Sequence, residues 1–96
     1  MTAGTLRMIV EHQLSDFARW KAVFDAHCEA QRDHGLTLDW LRQDDVDPNH
    51  IFFCLLVEDR EKAEAFVNLP ASAEAGEEAG VLEGSYCYLQ DVDEAG

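Results

Sequence analysis

An α+β fold with a β-α-β-β-α-β order follows from three features of this 96-residue sequence. Stretches of helical periodicity alternate with period-two or wholly apolar stretches of strand length. Each helical stretch opens on a capping residue and closes on a glycine. A short run of turn formers joins the second strand to the third, which sets those two antiparallel.

Leu6 to Leu14 alternates as a strand, with Leu6, Met8, Val10, His12 and Leu14 on one face. Ser15 or Asp16 then caps a helix predicted to run unbroken to about His34, where Gly35 can take the left-handed conformation that closes it. On a wheel of this helix Phe17, Trp20, Val23, Phe24, His27, Cys28, Gln31 and His34 fall within about 140°. Leu36 to Gln43 is the second strand, with Leu36, Leu38, Trp40 and Arg42 assigned to one face. Asp44 to Asn49 reads as an exposed connection. His50 to Glu58 is apolar on both faces, as in a central strand. Asp59 caps a second helix that Pro70 interrupts and restarts, and Gly80 ends it. Tyr86 to Val92 is the last strand, and 93–96 a frayed tail of the single domain 1–96.

Right-handed crossovers fold this order into a four-stranded antiparallel sheet with the helices on one face, the ferredoxin-like arrangement. The opposite face of the sheet is largely apolar. A homodimer packed through these sheet faces is the economical way to cover it.

The net charge of −13 opposes nucleic-acid binding, which needs clustered Lys and Arg. No apolar run is long enough for a membrane span. The first residues, MTAGTLR, lack a signal-peptide pattern, so a cytoplasmic location is expected. Cys28, Cys54 and Cys87 form no CxxC pair and are expected as free, buried thiols.

The polar members of the apolar stripe carry the functional argument, because a buried polar group needs a partner, a water or a ligand. His27 can act as an acid or base towards a ligand under the helix, or be a core histidine satisfied by the backbone. Gln31 can orient His27 or a ligand carbonyl, or simply reach solvent at the helix end. His12 has two orientations open: the pocket mouth, as an acid–base partner of His27, or the edge of the sheet-to-sheet interface. Trp20, Phe24, Trp40, Phe52 and Phe66 are either an aromatic wall for a flat substrate or an ordinary core. Tyr86 and Tyr88 share a strand face, from which a phenol can stabilise an oxyanion or merely pack. No metal is expected, since neither HxxxH nor HExxH occurs. No cofactor is expected either; the lack of a glycine-rich phosphate loop, together with the acidity, argues against nucleotide cofactors.

Three segments carry a family resemblance: H-x-L-x-D-F-x-x-W-x-x-x-F-D at His12–Asp25, D-P-N at Asp47–Asn49, and E-D-x-x-K-A-x-x-F at Glu58–Phe66. With A-G-V at Ala79–Val81 they make the chain resemble the dimeric α+β barrel superfamily, in particular its small antibiotic biosynthesis monooxygenase-like proteins. The resemblance spans nearly the whole chain. It implies a pocket inside each subunit, between sheet and helices. Where that subgroup often carries a Gly-Pro-Pro-like segment, this chain has Glu83-Gly84-Ser85-Tyr86. The implied activity is cofactor-independent oxidation or cyclisation of an aromatic or polyketide-type molecule. Superfamily members also include haem-degrading enzymes, and a binding or assembly module without chemistry is the alternative.

Overall fold

The computed structural model describes residues 6–92; the expected frayed tail, 93–96, lies outside the described residues. The elements are β1 (Leu6–Leu14), α1 (Phe17–Ala26), α2 (Cys28–Asp33), β2 (Leu36–Gln43), β3 (His50–Val57), α3 (Arg60–Val67), α4 (Pro70–Ala79) and β4 (Val81–Gln90). The strands form one antiparallel sheet in the order β2-β3-β1-β4. This is the ferredoxin-like α+β fold.

Capping chemistry sets the element ends. Asp16 accepts from the Arg19 amide at 2.9 Å, and Asp59 accepts from the amides of Glu61 and Lys62. The Asp47-Pro48-Asn49 turn is more than a connection. Asn49 accepts the Leu14 amide on its backbone carbonyl and the Phe17 amide on Oδ1, at 2.7 and 2.8 Å. It thereby ties the end of β1 and the start of α1 to β3. Arg19 donates from Nε to the Glu78 carbonyl at 2.6 Å, satisfying an orphan carbonyl near the C-terminus of α4.

The first helix is not continuous, contrary to the reading of one helix from Asp16 to His34. It breaks at His27, whose backbone sits at φ −103°, ψ 5°. The imidazole Nδ1 bonds the Val23 carbonyl at 2.8 Å, the acceptor that the His27 amide would use in an α-helix. The amide bonds Phe24 O instead, at 3.0 Å. His34 repeats the device, with Nδ1 on Ala30 O and the amide on Gln31 O, and there the helix ends. Side chains that compete for their own helix carbonyls thus segment the element.

Two strand readings also change. The last strand begins at Val81 rather than Tyr86, directly after Gly80, and ends at Gln90, leaving Val92 exposed. In β2 the pairing with β3 shifts between Leu38 and Trp40, with Asp39 as the extra residue. The bulge reverses the faces beyond it, so Trp40 and Arg42 pair with Cys54 and Phe52 on the sheet face away from the helices. The thiols divide as well: Cys54 is buried, Cys28 half-buried and Cys87 exposed.

The core lies between sheet and helices and includes Met8, Leu14, Trp20, Ile51, Leu55 and Ala63. Gly80 closes α4 at φ +79°, and a Cβ there would lie 2.2 Å from Ser15 Oγ. Ser15 can rotate away, so the backbone dominates the expected loss. Gly80→Ala should cost about 1–2 kcal/mol, read as a lower thermal midpoint. An unchanged midpoint would show that α4 can close without a left-handed residue.

Candidate functional site

A cavity of about 330 Å³ lies between the sheet and the helices. Its floor is the helix-facing side of β1 and β3, its roof α1 and α2, and its side the small residues of α4. The wall facing the ligand space is aromatic: Trp20 stacks on Phe24 at 4.6 Å between centroids, and Phe53 meets both, at 5.6 and 5.2 Å. Such a surface matches a flat, apolar molecule.

His12 is on the helix-facing side of β1, which resolves its two open orientations in favour of the cavity. Its ring stands edge-on to Trp20 and Phe53, at 6.4 and 5.5 Å. Nδ1 is buried and has no hydrogen-bond partner among the described residues. Burial lowers its pKa from 6.5 to about 4, so the imidazole is neutral at pH 7. Between pH 6.5 and 4 the unfolded chain therefore binds more protons than the folded one. Stability should fall as pH drops through that window, and His12→Ala should flatten this part of the profile relative to wild type. Parallel profiles in urea denaturation would count against a buried neutral His12.

His27, Gln31 and His34 line the same cavity from α2 and its two ends. Because Val23 O can only accept, His27 carries its proton on Nδ1 and leaves Nε2 as a lone-pair acceptor when neutral. The same holds for His34 against Ala30 O, with its ring tilted on Phe66 at 5.0 Å. Gln31 is the buried polar residue of the core among the described residues.

His12 and His27 share the cavity. No hydrogen bond joins the two rings among the described residues: His27 Nδ1 is committed to Val23 O, and His12 Nδ1 has no partner.

Not every candidate reaches the cavity. Trp40 and Phe52 are on the opposite sheet face, Trp40 under the Arg42 guanidinium at 4.3 Å and Phe52 beside His50. Phe53 takes the place assigned to Phe52; in the all-apolar run HIFFCLLV, periodicity cannot choose between neighbours. Tyr86 touches the cavity, whereas Tyr88 does not line it. Both phenols donate to Glu64 Oε2, that of Tyr86 at 3.2 Å. Burial and the Glu64 carboxylate raise both phenol pKa values. These phenols hold β4 to α3 and are not free oxyanion donors. Among the described residues, no group of three His, Cys, Asp or Glu side chains is arranged to hold a metal ion. None of the described helices is long and apolar enough to cross a membrane.

No family model matches the chain, and no curated protein matches its sequence. Solved structures do share its fold. One described as an antibiotic biosynthesis monooxygenase is 19% identical, with 92% of this chain and 99% of that chain covered and a TM-score of 0.69. A Nitrosomonas europaea protein given the same name provisionally is 14% identical over 100% and 98% of the two chains, with a TM-score of 0.72. A Pseudomonas aeruginosa protein, named without an activity, is 17% identical over 97% and 99%, with a TM-score of 0.70. At such identities the likeness establishes the fold.

Proposed function

We propose that this protein is a cofactor-independent enzyme, monooxygenase- or cyclase-like, that acts on an aromatic or polyketide-type molecule in the cavity beneath α1 and α2. The observation that carries the reading is an oriented base in an apolar, aromatic-walled space: His27 Nε2, fixed by the Nδ1 bond to Val23 O. Names of the fold relatives support the same reaction class.

A flat substrate stacks along Trp20, Phe24 and Phe53. His27 Nε2 removes an acidic phenolic or α-carbon proton, and the Val23 carbonyl stabilises the imidazolium that forms. The electron pair stays on the substrate as a phenolate or enolate, towards which the Gln31 amide can donate. In the oxidative branch, dioxygen converts a ring CH₂ to C=O: one oxygen atom stays on carbon and the other leaves as water with the two hydrogens. In the cyclising branch the carbanion attacks a carbonyl of the same molecule. In the same cavity His12, neutral at pH 7, orients the substrate by hydrogen bonding and is too weak a base to start the reaction.

The working unit in this reading is a cytoplasmic homodimer joined through the bare sheet faces. That face carries Ile9, Phe52, Trp40 and Leu89, with Arg7 bridging Asp39 and Asp91 at 2.6 and 3.2 Å. A second reading, binding without chemistry, is favoured by the commitment of both phenols to Glu64. The test is oxygen uptake and product formation with a panel of naphthalenediols and anthrone-type polyphenols, on wild type, His12→Ala and His27→Ala. Turnover that depends on His27 supports the enzyme. Tight binding with no turnover selects the binding module, and equal turnover in all three proteins removes the mechanism.

A further inference from the structure

The orphaned His12 has a counterpart in β4. The β1–β4 register sets His12 directly opposite Gly84, in the same ladder as the Val10–Tyr86 pair. Gly84 is the glycine interior to this strand, where a glycine ordinarily weakens pairing and marks a close approach. A Cβ at position 84 would lie 2.7 Å from His12 Cδ2 and 3.1 Å from Nε2. The imidazole therefore lies in the space that a cross-strand side chain would fill.

We propose that Gly84 is a positioning residue: by lacking a side chain it holds the His12 imidazole across β4, edge-on to Trp20 and Phe53, where the ring forms part of the cavity lining. Three surfaces define this slot. Trp20 and Phe53, 2% and 5% exposed, cannot retreat, because both are packed into the core. The third surface is the Gly84 backbone, held by the strand ladder. A methyl group at position 84 has nowhere to go except into the ring, so the ring must turn out of its slot. The consequence is chemical as well as steric. In the slot the ring lines the cavity, and its Nδ1 is buried with no hydrogen-bond partner among the described residues. Out of it, the ring meets water and no longer completes the cavity wall that a ligand would touch.

The assignment rests on the cavity being the ligand site, and its test separates the two. Ring ¹⁵N and ¹H signals of His12, read by NMR without ligand, should shift in Gly84→Ala while those of His27 and His34 stay in place. Affinity for 1-naphthol, measured by titration, should weaken by about three- to tenfold. In the His12→Ala background the same Gly84→Ala change should have no effect on affinity, because the clash partner is gone. Should the single variant fold poorly, the double variant decides: with the imidazole removed, the added methyl group fits, and the thermal midpoint should equal or exceed that of His12→Ala. Unmoved His12 signals, an affinity loss that persists without His12, or a double variant less stable than His12→Ala would each overturn the assignment. If wild type fails to bind 1-naphthol, the functional reading falls, and the positioning role stands or falls on the ring spectrum and the double variant.

Discussion

Replacing His27 by alanine is expected to reduce turnover by about 10²–10⁴-fold, the range that a positioned acid–base group supplies. The same substitution should leave the fold intact or firmer. The imidazole now occupies Val23 O and forces the His27 amide onto Phe24 O at 3.0 Å. Alanine frees that carbonyl and is the best helix former, so α1 and α2 can join. Helicity by circular dichroism should therefore hold or rise while oxygen uptake collapses, with 1-naphthol binding little changed. This combination separates a catalytic from a structural histidine. Loss of helix content together with activity would make His27 a structural residue, and turnover close to wild type would move the base elsewhere in the cavity.

Trp20→Ala is expected to have the largest effect on stability, about 3–5 kcal/mol. Trp20 is 2% exposed. It packs on Phe17, Phe24, Phe53 and His12 at once. Its loss opens the existing cavity further instead of letting neighbours collapse, since the space beside it is already empty. A domain of this size has a total stability of about 5–15 kcal/mol, so the variant loses a large share of it. The thermal midpoint should fall by on the order of 20 °C. A drop of only a few degrees would show that the sheet and the remaining aromatics support the domain without this wall.

These expectations depend on features of unequal legibility. The apolar stripe through Trp20, Phe24, His27, Gln31 and His34 is visible because a helix repeats about every 3.6 residues and exposes its opposite face. Chemical contrast between the two sides marks the direction in which the stripe looks. The caps at Asp16 and Asp59 and the closures at Gly35 and Gly80 are local, set by residues within one turn of each other. They too can be read without a structure.

The strands are harder, for a physical reason. When both faces of a sheet are apolar, a period of two carries no sign, so His12 and the choice between Phe52 and Phe53 stay open until the layers are assembled. The bulge at Asp39 moves Trp40 to the far face, and it exists only in the pairing of β2 with β3. The break at His27 arises when a side chain outcompetes its own backbone for Val23 O, a contest that periodicity does not register.

By itself, then, the sequence determined the order of strands and helices, their caps, and a helix face with polar groups among aromatics. All of these follow from interactions between near neighbours in the chain. Tertiary structure alone decided which histidines share a cavity. It also revealed that Gly84, at the far end of the chain from His12, leaves the space in which that imidazole lies. Such facts depend on strand register and layer packing, which bring distant residues together and have no signature in local composition.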